Sequence, residues 1–212
     1  MKKTTEIILI VVMILSGLSI ISGIAYGIFF QEDPKKVAID YIAENELHYY
    51  GTKSQLVDET QVYIDSVSEY SCLRAWELVN ECEKYKVDIV FVLAQGELES
   101  HFGTKGLARK TNSVWNVGAY DTLTSDKISK NYLYQHPNES IEPYLKLLTT
   151  KYLVNKVEVD LLHNFIDING NRYASYPNYE VELTKKYNHI KEDTDISILQ
   201  DELYYYSIRC DR

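Results

Sequence analysis

Cysteine is scarce in this chain, and its number is odd. The three residues, Cys72, Cys82 and Cys210, cannot form a complete disulfide framework, and no C-x-x-C or zinc-type spacing joins them. Cys72 and Cys82 read as small core residues on helices, with a bridge between them open in an oxidising compartment. Excess positive charge is missing as well. A formal net charge of -9 excludes nucleic acid as the main partner, because phosphate binding needs a basic footprint. It also excludes long-range attraction to anionic wall polymers, so a wall-acting protein of this charge needs a tether. Repeats and low-complexity tracts are absent. With 45% hydrophobic and 25% charged residues, the composition is not that of a disordered chain.

What is present divides early. From Ile7 to Phe30 no residue is charged, and at helical rise this run spans roughly 36 Å, enough to cross a hydrocarbon core. A cleavable signal peptide has a shorter apolar region and a small-x-small site, whereas this run ends in Gly27-Ile28-Phe29-Phe30-Gln31. The segment reads as an uncleaved transmembrane anchor. Lys2 and Lys3 precede it and Lys35 and Lys36 follow it, so charge alone leaves its orientation nearly balanced. Residues 31–212 leave about 180 residues, enough for one domain with a core.

Asp33-Pro34 is a helix start, and Gly51 is its expected stop. A linker follows to residue 54. Leu56, Val62, Ile64 and Val67 suggest the next helix. Leu73 to Lys84 suggests another, with Leu73, Trp76, Leu78 and Val79 facing inward. Residues 88–102 read as one buried helix capped by Asp88 and ended by Gly103. The stretch from Thr104 to Asn138 is polar and rich in turn residues, which suits a small β-hairpin lobe. Helices are expected at 140–154, 159–168 and 179–190, with a turn at Asn169-Gly170. Ile196, Leu199 and Leu203 mark a short amphipathic helix in the tail. The expected fold is mainly α, with a small hairpin lobe, preceded by one transmembrane helix.

One stretch carries chemistry: Leu93-Ala94-Gln95-Gly96-Glu97-Leu98-Glu99-Ser100-His101-Phe102-Gly103. Glu99 lies near the C-terminal end of an apolar helix. Burial and the negative end of the helix dipole both disfavour its carboxylate. A general acid that must hold its proton near neutral pH needs such a place. Gly96 lies one turn earlier on the same face and leaves room for a substrate. Glu97 is about 200° away around the helix, so the two cannot share a cleft. Spacing alone does not choose between them. His101 beside Glu99 makes no H-E-x-x-H site. Asp167-Ile168-Asn169-Gly170-Asn171 has the wrong glycine position for a calcium loop, and no metal or other cofactor is called for.

Four segments, in order, resemble those of the family 73 glycoside hydrolases, glucosaminidases with an α+β lysozyme-like fold. Leu93 to Gly103 is similar to L-A-Q-A-A-L-E-S-G-W-G. Asn112-Ser113-Val114-Trp115-Asn116-Val117-Gly118 is similar to N-N-L-F-G-I-K. Glu139 to Leu148 is similar to E-S-I-x-D-Y-x-x-L-L, and Tyr173-Ala174-Ser175-Tyr176-Pro177-Asn178-Tyr179 to Y-A-T-D-P-x-Y-A. The closest likeness is to versions carried by gut phages of the crAss type. Phe102, Asn116 and Tyr176 depart from the usual Trp, Gly and Asp.

The resemblance implies an enzyme that cuts the bond from N-acetylglucosamine to N-acetylmuramic acid in peptidoglycan strands, for phage lysis or wall remodelling. It puts the acid on Glu99 rather than Glu97 and sets Tyr173 beside the reacting sugar. Trp115 would stack on a sugar face, Asn112 and Asn116 would bond the acetamido group, and Tyr179 would join the substrate-binding set. A second carboxylate is not picked out: Asp121, Asp126 and Glu139 are candidates, and the substrate's own N-acetyl group is the alternative. The implied organisation is a cytoplasmic start and anchor over 1–30, a helix and linker over 31–54, the glucosaminidase domain over 55–190 and a tail over 191–212. The N-terminus would lie inside and the hydrolase on the extracytoplasmic side. The rivals are a lytic transglycosylase and a non-catalytic wall-binding or virion module.

Overall fold

The computed structural model describes residues 34–117 and 133–210. The chain divides into a unit ending at Tyr41 and a larger one from Ile42 onward. All that follows concerns the larger unit, apart from the first turns of the opening helix.

That helix, α1 (Pro34–Val67), runs straight through Gly51. The expected stop fails because the glycine is exposed and nothing lies within 4 Å of the position a side chain would take. An exposed helical glycine costs only about 1 kcal/mol relative to alanine, which neighbouring turns tolerate. After it come α2 (Ala75–Tyr85), α3 (Ile89–Ser100), a single turn α4 (Ala108–Thr111) and α5 (Ile141–Leu147), entered through a 3-10 turn over Pro137–Ser140 and prolonged by a π turn over Leu148–Tyr152. The last elements are a single turn α6 (Glu158–Leu161), then α7 (Tyr179–Asp193) and α8 (Ile196–Cys210).

α3 is the axis of the core. Every residue from Ile89 to Glu97 is buried, and so is Ser100. A helix apolar on all sides must be surrounded, and α3 is: α7 packs along it most extensively, with α2 and α8 also against it. Asp88 caps its start, accepting from the Val90 N–H at 2.8 Å, and Tyr187 of α7 donates to the other Asp88 oxygen at 2.9 Å. Its end is unusual. His101, Phe102 and Gly103 all have positive φ, at 46°, 54° and 88°. His101 and Phe102 return their N–H groups to the Glu97 and Gly96 carbonyls, which closes the helix in the Schellman manner. Left-handed conformations are costly for residues with a side chain. Here the turn drives Phe102 fully into the core.

Several expectations need correction. Among the described residues there is no strand, only an isolated bridge between Ile166 and Arg172, so the hairpin lobe is not found. Among the described residues of that stretch, the Asn112 side chain donates to the Tyr134 and Gln135 carbonyls at 2.9 and 3.3 Å, and the Tyr134 N–H donates to the Thr111 carbonyl at 2.9 Å. Residues 118–132 of that stretch lie outside the described residues. No helix among the described residues is long and apolar enough to cross a membrane, and the run read as an anchor lies outside them. The helix expected over 159–168 is a single turn, because Phe165 leaves it to enter the core. Trp76 is 57% exposed rather than inward, and its ring lies under the Lys53 ammonium. Cys72 is exposed and outside any helix, Cys82 is buried, and both are free thiols, so they form no bridge with each other.

Candidate active site

The two glutamates of α3 separate cleanly. Glu97 is buried and ion-paired: it accepts from Lys186 Nζ at 2.5 Å and from the Tyr63 hydroxyl at 2.5 Å. Its charge is neutralised and its oxygens are occupied, as a buried charge requires. Glu99, two residues on, is half-buried and has no cationic partner among the described residues. One oxygen, Oε1, accepts from the Tyr179 hydroxyl at 2.5 Å; the other, Oε2, accepts from Asn116 Nδ2 at 2.9 Å. Burial pushes its carboxyl above the ordinary range, and the donors Tyr179 and Asn116 pull partly back. No charged side chain is among the causes. The net direction is upward, toward the protonated state that a proton donor needs.

The four sequence segments converge on this carboxyl. Ser100, next in the chain, donates to the Val114 carbonyl at 2.6 Å and accepts from the Gly103 N–H at 2.8 Å. It thereby fastens the 113–116 turn to the end of α3. From the third segment, Ser140 Oγ accepts from the Val114 N–H at 3.2 Å. From the fourth, the Tyr173 hydroxyl donates to the Trp115 carbonyl at 2.8 Å, and Tyr179 reaches Glu99 itself. Asn116, with φ at 50°, is held so that its amide faces Glu99. Its Nδ2 also contacts the Glu99 carbonyl at 3.2 Å, while its Oδ1 is buried without a partner.

A residue the sequence reading left without a role organises Tyr179. Gln95 is fully buried one turn before Glu99. The Tyr144 hydroxyl donates to its Oε1, which turns its Nε2 toward Tyr179, at 3.0 Å from that hydroxyl. Having accepted from Gln95, the Tyr179 hydroxyl must send its own proton to Glu99. The signal was the i, i+4 spacing of Gln95 and Glu99 on one face. Recognising it requires the distant partners Tyr144 and Tyr179.

The expected substrate contacts fare unevenly. Trp115 is 0% exposed. It stacks on Tyr144 with ring centroids 4.5 Å apart, and its Nε1 donates to the Val92 carbonyl at 3.0 Å. It has no face left for a sugar. Gly96 does not open a path for substrate either: a methyl group there would meet Trp115 Nε1 at 3.1 Å and the Phe102 ring at 3.2 Å. Tyr179 is 6% exposed and bonded to Glu99, so it serves the acid rather than a sugar. Tyr173 stacks on Phe165 at 4.5 Å, with its proton committed to the Trp115 carbonyl. Asn112 bonds backbone carbonyls rather than Glu99. Of the second-carboxylate candidates, Glu139 is exposed and accepts from the Gln135 N–H at 2.9 Å, while Asp121 and Asp126 lie outside the described residues.

Comparison with known proteins gives one finding. The family model described as glucosaminidase, mannosyl-glycoprotein endo-beta-N-acetylglucosaminidase, matches residues 75–192, a span that holds Glu99 and every segment that meets it. No curated protein and no solved structure matches the chain. With more than half of its length covered by that model, the chain belongs to the glucosaminidase family and is a glycoside hydrolase of the peptidoglycan-acting kind.

Proposed function

We propose that the protein cleaves the bond from N-acetylglucosamine to N-acetylmuramic acid in peptidoglycan, with Glu99 as the general acid. The observation that carries this reading is a half-buried Glu99 whose carboxyl, among the described residues, is held by the neutral donors Tyr179 and Asn116, at the point where all four family-like segments meet. In the neutral state the proton sits on Oε2, since the Tyr179 hydroxyl already points at Oε1. Asn116 then turns its amide so that the unpartnered Oδ1 accepts from the acid, or the proton faces the leaving oxygen. As the glycosidic bond breaks, Glu99 gives that proton to the departing hydroxyl. Tyr179 and Asn116 stabilise the carboxylate left behind. The carboxylate then takes a proton from the water that completes hydrolysis. The substrate's N-acetyl oxygen is the nucleophile that needs no further protein group. Tyr173 acts as a positioning residue, holding the Trp115 carbonyl and with it the turn that carries Asn116.

The substrate lies outside the membrane, so this reading sets the domain on the extracytoplasmic side and the N-terminus inside. The uncharged run from Ile7 to Phe30 is the sequence feature that suits a tether. Mass spectrometry of digested wall tests the reaction. New reducing ends on N-acetylglucosamine are the expected product. A predominance of anhydromuramyl ends would show a lytic transglycosylase, and no new ends from a folded protein would show a wall-binding module.

A further inference from the structure

A cavity of about 760 Å3 lies apart from Glu99, which is not among its lining residues. It lies between the Ser68–Cys72 loop and the chain from Phe102 to Asn112, and its lining includes Tyr70, Lys105, Arg109, Asn112 and His136, with Glu69 the acidic member. Its walls are tied together. Ser68 and Thr104 share a hydroxyl–hydroxyl bond of 2.7 Å, and Ser71 donates to the Phe102 carbonyl at 2.9 Å. The hollow is therefore preformed.

Its charge is out of keeping with the rest of the chain. The protein carries a net -9, whereas Lys105 and Arg109 outnumber Glu69, the acidic residue in this lining. Lys105 and Arg109 are exposed, line the same hollow, and have no acidic partner among the described residues. Arg109 stands in the last turn of α4, where a cation is mildly favoured, but a four-residue turn accounts for little of this, and Lys105 lies outside it. Tyr70 is 82% exposed at the same hollow, an aromatic face free to lie on a ligand. The hollow also shares Asn112 with the turn that ends at Asn116 on Glu99. Four residues of chain span at most about 14 Å. A ligand here and a sugar at Glu99 can thus belong to one substrate.

We propose that this hollow is a subsite for the carboxylate-bearing peptide branch of the glycan strand, with Lys105 and Arg109 receiving the carboxylate and Tyr70 flanking the branch. This rests on the reading of Glu99 as the acid of a peptidoglycan hydrolase. It adds that the enzyme distinguishes peptide-bearing from naked glycan.

The test is calorimetric binding to the full chain carrying Glu99→Gln, which keeps the substrate intact. The probes are a peptidoglycan tetrasaccharide with its peptides and the same tetrasaccharide after amidase removal of them. The peptide-bearing probe is expected to bind about tenfold more tightly at low salt, as two or more charge contacts allow. That preference should fade at high salt. Adding Lys105→Ala and Arg109→Ala should bring the ratio near one, while Arg109→Lys alone should retain most of it. Equal affinities for the two probes, or a ratio unmoved by the double substitution in a folded protein, would overturn the proposal. Competition by a soluble phosphodiester polymer but not by free peptide would also overturn it, reassigning the cations to that anion. Product analysis of the wild-type protein runs alongside. Failure there with the binding ratio intact removes the hydrolase reading and leaves the subsite. The converse removes the subsite alone.

Discussion

Replacing Gly96 by alanine puts a methyl group 3.1 Å from Trp115 Nε1 and 3.2 Å from two atoms of the Phe102 ring. Both neighbours are fully buried. Trp115 is fixed by its stack on Tyr144 and its bond to the Val92 carbonyl, and Phe102 by the left-handed turn that aims it inward. Neither is a flexible side-chain end that swings aside. Overpacking of this kind costs about 1–3 kcal/mol, and the better helix propensity of alanine returns roughly 0.5–1 kcal/mol. The net expectation is a loss of about 1–2 kcal/mol, or a Tm lower by roughly 2–8 °C for a domain of this size. Urea denaturation of the two proteins side by side measures it. Activity should also fall, because Trp115 carries the turn that presents Asn116 to Glu99. A glycine kept only to admit substrate would behave differently, losing activity with stability unchanged or raised. That result would refute the packing account.

Tyr179→Phe removes a donor to the Glu99 carboxylate, so the already raised carboxyl rises further. The basic limb of the pH–activity profile should move upward, and the Gln95 amide left unpaired should cost about 1–3 kcal/mol of stability; an unmoved limb in an active variant would exclude the contact. Glu97→Gln breaks the pair with Lys186 and should cost about 1–3 kcal/mol in denaturation while activity stays within about threefold; a loss as large as that at Glu99 would put the acid on the wrong residue. Stability against pH gives a further check. The native preference for protonated Glu99 is fully present below the unfolded carboxyl pKa and is lost as pH rises through the raised native value. Glu99→Gln should therefore gain on the wild type in denaturation midpoint as pH rises above the unfolded carboxyl pKa of about 4, and a constant difference would contradict the desolvation of that carboxyl. In a Cys210→Ser background a thiol reagent should label Cys72 readily and Cys82 only on unfolding.

Local pattern was enough to place Glu99 near the end of a buried helix, because its apolar run and Asp88 cap are contiguous. The order of the four segments was enough to gather the residues around it. What escaped depends on partners distant in sequence. Trp115 reads equally as a sugar platform or a core ring until Tyr144 is known to cover it. Gly96 reads as an opening until Trp115 and Phe102 fill the space. Gln95 has no apparent task without Tyr144 and Tyr179, which lie far along the chain. The hairpin expectation took turn-forming residues as a sign of strands. Among the described residues of that stretch, the Asn112 side chain instead bonds the Tyr134 and Gln135 carbonyls. Helical spacing gives Trp76 to the core, yet Leu78 and Val79 are buried while the indole is exposed under Lys53.

The most direct measurement compares wild type with Glu99→Gln on purified peptidoglycan by counting new reducing ends per enzyme per minute, with circular dichroism to establish that both are folded. Transfer of a proton from Glu99 to the leaving oxygen predicts at least about a hundredfold fall in the variant. Rates within a few-fold of each other would mean that the glycosidic oxygen receives its proton from somewhere else.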